Sequence, residues 1–294
     1  MPAPRAANLQ TVLDDAWHGP GGWHFSGRLT QIRRAPRDNS SGLAALYRTT
    51  RMIFTHGAPG LATWRVAGRA WTQPADRHGY WELAGIDPLV LPPGWHAIES
   101  VPAASSPAGL LVADPQNPIG IISDIDDTIL TTGVLSKPRL LKNSLLVPPE
   151  RRQAVPGMAE CYENLLQENP GSGASAVFYL SSSPRQLTDS LRRFLAAAGF
   201  PRGVLQLRKT FHDRRRATGG HAAYKLRHIT AILAAFPQVR FHLCGDDAER
   251  DPEIYAQIQL RHPGQVAGVW IRKLNPNPRR PAFSGQRDVR ELAG

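Results

Sequence analysis

The chain is short of cysteine, of acidic residues and of long apolar runs, and each shortage removes a class of protein. Only two cysteines, Cys161 and Cys244, occur in 294 residues. A disulfide-stapled secreted domain needs more, so a reducing compartment is expected, and Cys244, which ends an apolar run, reads as a packed thiol. There is no Cys-x-x-Cys or His-Glu-x-x-His, and the ten histidines are scattered, which argues against a zinc centre. A Gly-Lys-Ser/Thr phosphate loop is also missing, so ATP use is not implied. No stretch reaches the about 18 apolar residues of a membrane span. The opening MPAPRAANLQTVLDDAW is broken by Pro, Arg and Asp where a signal peptide would be apolar. The expectation is a cytoplasmic protein able to touch a membrane from one side.

Acidic residues number 24 against 35 Lys and Arg, giving a formal charge of +11. Such a balance favours an anionic partner: phosphate esters, nucleic acid or an anionic membrane surface. Charge alone does not choose among them. Apolar residues make up 41% of the chain, enough for ordinary packed cores, and its length favours two domains.

Residues 1–110 and 111–275 differ in texture. The first part is rich in Gly, Pro and Trp. Its short aromatic or β-branched runs (Trp23–Leu29, Tyr47–Thr55, Ala62–Val66, Tyr80–Leu83, Trp95–Val101) are separated by turn signals such as Pro59-Gly60 and Pro92-Pro93-Gly94. This spacing predicts a small N-terminal β-sandwich. The second part alternates strands (Ile119–Asp124, Ala176–Ser181, Val204–Leu207, Val239–Gly245, Val266–Ile271) with helices (157–167, 185–198, 221–235, 252–261). That order predicts an α/β fold, a Rossmann-like parallel sheet that gathers ligands at the carboxyl ends of its strands. Residues 276–294 carry Pro and Arg and read as a loose tail. No internal repeat is visible.

The chemistry sits at predicted strand ends. In Ile121-Ile122-Ser123-Asp124-Ile125-Asp126-Asp127-Thr128 an apolar strand delivers two carboxylates into the crevice beyond it. Asp124 can attack phosphorus, and Asp126 can give and take the proton. A carboxylate approaching a phosphate dianion is repelled, so a cation is needed, and Mg2+ suits an oxygen-rich site. Taken alone, the segment reads equally well as an acidic turn with a helix cap. In Phe178-Tyr179-Leu180-Ser181-Ser182-Ser183-Pro184, Ser181 with Ser182 beside it is the candidate phosphate contact at a helix start, while Ser183 reads as the helix N-cap before Pro184. In Gly245-Asp246-Asp247-Ala248-Glu249-Arg250-Asp251, Asp246 can reach the same metal. Asp251 can serve it while capping the next helix, and Asp247 competes as a ligand. Lys225 is the candidate cation bridging Asp124 and phosphate, with Lys209 as its rival.

These pieces, in this order, resemble the haloacid dehalogenase-like superfamily. Asp124-x-Asp126-x-Thr128 matches its first motif, Ser181 the second, Lys225 the third, and Gly245-Asp246 with Asp251 the fourth. Within it, Ser123–Thr128 with Thr132-Gly133-Val134, then Phe178–Pro184, then Gly245-Asp246 and Arg250–Tyr255 resemble the actin-patch-type phosphatidate phosphatase family over roughly residues 119–273. That resemblance implies a magnesium-dependent phosphatase acting on phosphatidate and related lipid phosphates, with a small β-rich N-terminal domain. Metal ligands would be Asp124, the Asp126 main chain, Asp246 and Asp251. Thr128, Ser181, Ser182 and Lys225 would meet the phosphate. Arg185 stands where the family has an aromatic residue, Gly245–Glu249 replaces a Gly-Asp-Ser-Gly-Gln stretch, and the basic Arg208–Arg216 replaces Leu-Arg-Asp-Trp-Gly.

About fifty residues separate Thr128 from the second motif, including Lys137–Lys142, which is short for an independent cap domain. A minimal cap leaves the site open to a large or membrane-embedded substrate. The basic stretch 202–216 would attract anionic headgroups. Rival readings are a phosphatase for soluble or nucleic-acid phosphate ends and a non-catalytic binding protein. No nucleic-acid partner is expected, since no aromatic-and-basic stacking module is apparent.

Overall fold

The computed structural model describes residues 9–31, 57–105, 107–131, 152–208, 220–274 and 279–292. The run Tyr47–Thr55, the segment Lys137–Lys142, Lys209 and most of the basic stretch Arg208–Arg216 lie outside the described residues. The chain divides into two compact units, Met1–Val112 and Ala113–Gly294.

In the first unit, β1 (Leu9–Leu13), β2 (Ala16–Gly19), β3 (Gly22–Gln31), β6 (Tyr80–Gly85), β7 (Gly94–Ala97) and β9 (Gly109–Val112) form one sheet, in the order β1-β3-β2-β9-β7 with β6 also paired to β3. A second sheet has the order β5-β4-β8, built from β4 (Gly60–Val66), β5 (Arg69–Ala75) and β8 (Glu99–Val101). Both sheets contribute to one apolar core: Phe25 and Trp81 from the first, Trp64 and Val66 from the second. Trp64 stacks on Trp81 at 4.4 Å between ring centroids. Offset aromatic pairs of this kind add to simple area burial. The β4–β5 hairpin turns at Ala67 and Gly68, both left-handed (φ 47° and 82°), as a two-residue loop between right-twisted strands requires.

In the second unit, β10 (Ile119–Asp124), β11 (Val177–Pro184), β12 (Val204–Arg208), β13 (Arg240–Asp246), β14 (Val266–Arg272) and β15 (Gln286–Asp288) make one sheet, all pairs parallel, in the order β12-β11-β10-β13-β14-β15. Among the described residues the helices are α1 (Met158–Leu166), α2 (Thr188–Ala197), α3 (Gly220–Ala235) and α4 (Asp251–Arg261). The strands are buried on both sides, so they read as near-continuous apolar runs. Alternate residues serve opposite faces. Ile121, Val177 and Tyr179 pack with Met158 and Tyr162 of α1 and Leu191 and Phe194 of α2. Phe178 and Phe241 instead meet Phe236, just past α3.

From β10 the chain runs outward to β11 and β12, then returns to the other flank of β10 as β13. The order therefore switches between β10 and β13, where an open parallel sheet leaves a crevice at its carboxyl edge. The last residues depart from the loose tail expected: Gln286–Asp288 adds β15 beside β14, pairing Trp270 with Arg287. Among the described residues no helix is long and apolar enough to cross a membrane.

Candidate active site

Asp124 is the last residue of β10 and Asp246 the last of β13, so adjacent strands deliver both carboxylates to the switch point. Asp251 arrives at the first residue of α4. Single carboxylate oxygens from Asp124, Asp246 and Asp251 all lie within 4.8 Å of one another, and all three residues are buried. Asp251 approaches this closely because residue 245 is glycine. A Cβ there would lie 2.4 Å from Asp251 Oδ2 and 2.8 Å from the Tyr255 ring.

Lys225 enters from α3 with its side chain 1% exposed. Its ammonium donates to Asp124 Oδ1 at 2.7 Å and to Asp251 Oδ1 at 2.5 Å. Burial works against the ammonium, but the two carboxylates outweigh it and hold its pKa above the ordinary lysine value. Thr128 Oγ1 lies 3.5 Å from Asp124 Oδ2 and 3.4 Å from Asp246 Oδ2. Three carboxylates against one ammonium leave a buried excess of two negative charges. The proton affinities record it. Burial, with repulsion from Asp251 and Asp246, lifts Asp124 well above the usual carboxylate range despite Lys225. Burial and the Asp251 charge push Asp246 up to about 6. Asp251 Oδ2 is fully buried and accepts no hydrogen bond. A crowded carboxylate set with an orphaned oxygen fits a hard divalent cation.

Asp126 faces a different way. Its carboxylate is outside this cluster and accepts hydrogen bonds from Ser181 Oγ at 2.7 Å and Ser183 Oγ at 3.2 Å. Burial raises its pKa, and the two hydroxyls partly offset that. Ser183 is therefore not the helix N-cap that the sequence implied. Strand β11 continues through Pro184 and the helix opens with a 3-10 turn at Arg185–Leu187, so Ser183 is still a strand residue. Residues two apart on a strand share a face. Ser181 and Ser183 thus meet Asp126 together, and Ser182 between them is half-buried. The Ser181 hydroxyl also accepts from the Ser183 N–H at 2.9 Å.

Asp251 also differs from its expected dual role. It is the first helical residue, Arg250 precedes it without a side-chain cap bond, and its Oδ1 is given to Lys225. The rival ligand Asp247 is occupied elsewhere: its Oδ1 accepts from the Leu274 N–H at 2.6 Å. Sequence reasoning missed Tyr162 on α1, whose hydroxyl meets Ser123 Oγ at 2.7 Å. Ser123 Oγ in turn donates to the Asp124 carbonyl, fixing the backbone beneath Asp124. Only the apolar spacing of α1 could have signalled it, and that spacing cannot distinguish a tyrosine with a polar task from one that packs. Asp127 is left-handed at φ 60°, a conformation asparagine and aspartate tolerate better than most residues.

Comparison with known proteins agrees with this geometry. Residues 119–273 match the family model described as phosphatidate phosphatase APP1, catalytic domain. The chain is 33% identical over 156 residues to phosphatidate phosphatase APP1 of Saccharomyces cerevisiae, covering 52% of this chain and 26% of that protein. It is 28% identical over 158 residues to an uncharacterised Schizosaccharomyces pombe protein, covering 53% and 25% of the two chains. The chain thus spans about a quarter of the length of the curated relatives it matches. A solved structure titled "Structure of Pnkp1/Rnl/Hen1 complex" is 14% identical over 56% of this chain and 49% of its own, at a TM-score of 0.38, too low to argue from. The family match spans both strands that carry the clustered carboxylates, and on it this chain belongs to the family of the phosphatidate phosphatase APP1 catalytic domain.

Proposed function

We propose that the chain is a magnesium-dependent phosphatase that hydrolyses phosphomonoesters, phosphatidate or related lipid phosphates foremost, through an aspartyl-phosphate on Asp124. The observation that carries this reading is the convergence of Asp124, Asp246 and Asp251, from separate segments, around one point that also holds Lys225. Asp124, Asp246 and Asp251 would hold the Mg2+, with the Asp126 main chain as a further donor. When bound, the ion offsets the repulsion between carboxylate and phosphate.

Asp124 attacks phosphorus, and the bond from phosphorus to the leaving oxygen breaks. Asp126, whose pKa burial raises, gives its proton to that oxygen. Asp126 then takes a proton from a water that attacks phosphorus, the phosphorus–Asp124 bond breaks and phosphate leaves. Ser181 and Ser183 aim Asp126, with Ser181 and Ser182 also lining the phosphate pocket. Lys225 and Thr128 steady Asp124 and the phosphoryl oxygens. In phosphoryl transfer such alignment and charge neutralisation supply most of the rate.

The fold reading that goes with this is a haloacid dehalogenase-like sheet with a minimal cap over residues 111–275, and a small β-sandwich over 1–110. The switch in strand order at β10 and β13 supports the first, and two sheets sharing one apolar core support the second. The lipid preference follows the family. A preference for soluble or nucleic-acid phosphate ends is favoured only by the net charge of +11. Phosphate release with Mg2+ from dispersed phosphatidate, a phosphorylated oligonucleotide and a sugar phosphate separates these, with Asp124→Asn as the blank. Turnover of phosphatidate that the substitution abolishes without unfolding the protein is expected. Wild-type turnover by Asp124→Asn, or no hydrolysis of any ester, would sink the proposal.

A further inference from the structure

The segment after β14 lies beyond the matched catalytic-domain residues, yet it grips the loop that carries Asp246 and Asp251. Arg280 does most of this. Its Nη1 donates to the Asp247 carbonyl at 2.5 Å, its Nη2 to the Glu249 carbonyl at 2.6 Å, and its Nε to Glu253 Oε1 at 3.0 Å. One planar guanidinium thus spans the loop 247–249 and the first turn of α4. Lysine, with a single point of charge, could not make this set of bonds. Other ties reinforce it. Leu274 N–H donates to Asp247 Oδ1, and Gln286 Nε2 donates to the Pro252 carbonyl at 2.7 Å. Arg272, at the end of β14, donates from Nη1 to the Asp127 carbonyl at 2.7 Å, on the loop that follows Asp126.

We infer that Arg280 is a positioning residue for the metal site: it holds the 246–251 loop in the one conformation that brings Asp246 and Asp251 to a shared cation. The inference rests on the reading of Asp124, Asp246 and Asp251 as a divalent-cation site. The loop needs such a hold because its ion-free state is self-repelling. Asp246, Asp247, Glu249, Asp251 and Glu253 crowd eight residues, and Asp246 Oδ1 accepts from the Ala248 and Glu249 N–H groups, so the turn that fixes Asp246 is the turn Arg280 clamps. The Arg280 side chain is 18% exposed and that of Glu253 28%, partly shielded from water, where charge-assisted bonds are stronger than at an open surface. A segment that braces this loop from outside the matched residues makes cation affinity depend on how residues 279–288 are seated.

The test is Mn2+ or Mg2+ binding to the metal-free full chain, measured by calorimetry for wild type, Arg280→Ala and Arg290→Ala. Arg290 is on the same segment, but its side chain is 82% exposed and pairs locally with Asp288. Arg280→Ala should weaken the cation about ten-fold or more, the usual effect of removing an outer support of a metal site. Arg290→Ala should bind as wild type does. Hydrogen exchange at the Ala248 and Glu249 amides should quicken in Arg280→Ala, and millimolar guanidinium should partly restore its cation affinity while leaving wild type unchanged. If Arg280→Ala does not fold, Glu253→Gln, which keeps the loop sequence and removes only the anionic partner, should still weaken binding measurably. Unchanged cation affinity in Arg280→Ala, or in Glu253→Gln where that is the variant that folds, overturns the inference. A wild-type chain that binds neither cation overturns instead the metal-site reading beneath it.

Discussion

Replacing Asp246 by Asn should stabilise the metal-free protein, and the gain should depend on pH in a defined way. Asp246 is buried beside Asp251, and its pKa rises from the ordinary carboxylate value of 3.8 to about 6. A group whose folded pKa exceeds its unfolded one favours folding at low pH, and that contribution is lost as pH rises through the folded value. Ionised Asp246 is therefore a liability at neutral pH, by up to roughly 3 kcal/mol at about 1.4 kcal/mol per pKa unit. Asn removes the charge. It keeps an oxygen for the Ala248 and Glu249 N–H groups, and the hydroxyl of Thr128 still has Asp124 to donate to. Urea unfolding in chelator should show the variant's advantage growing by roughly 2 kcal/mol from about pH 4.5 to about pH 7.5, most of it gained below pH 6. With Mg2+ present the order should narrow or reverse, because the wild type gains binding free energy that the variant has lost with its ligand. A variant less stable than wild type in chelator at neutral pH, or a gap independent of pH, would refute the reasoning.

Three further outcomes follow from the same site and sheet. Gly245→Ala places a methyl against Asp251 Oδ2 and Tyr255 and should cost about ten-fold or more in cation affinity, read by calorimetry. Unchanged affinity would mean that Asp251 is not held there. Ser183→Ala removes a hydroxyl that lowers the pKa of Asp126, so that pKa should rise. The alkaline limb of the rate profile, where Asp126 loses its proton, should then move to higher pH, and movement to lower pH would contradict the role given to Asp126. His242 is buried against Trp270 and beside Arg287, its pKa is held at about 4, and its Nδ1 accepts the Trp270 indole N–H at 3.1 Å. A depressed folded pKa gives stability that is present above the unfolded value of 6.5 and lost as pH falls through about 4. His242→Gln should remove up to roughly 3 kcal/mol of that acid sensitivity in urea titrations at the two ends of the range, and an undiminished loss would count against it.

The parallel sheet was legible because each strand is buried on both faces and so appears as a run such as Ile119–Asp124, bounded by turn residues. The clustered carboxylates were legible for the same reason: a strand end is a fixed place, and Asp124 and Asp246 each stand at one. Ser183 was misread because Ser-Pro favours a helix start, while the β11 backbone runs on to Pro184 before turning. Strand β15 was missed because three polar residues, Gln286-Arg287-Asp288, carry no apolar pattern; they hold their place through the ladder to β14, with Arg287 lying 3.9 Å over the Trp270 ring. In the first unit, β1 and β2 escaped notice because Asp14-Asp15 and the Gly-Pro turn break the run. Asp14 is nevertheless buried, taking the Ser26 hydroxyl at 2.6 Å.

The central claim is a covalent bond between Asp124 and phosphorus, and it can be looked for directly. Enzyme turning over phosphatidate with Mg2+ would be quenched in acid, treated with borohydride and digested, since reduction converts an aspartyl-phosphate to homoserine. Homoserine at position 124, absent without substrate, is expected. Homoserine at position 126, or none at any time during active turnover, would contradict the account.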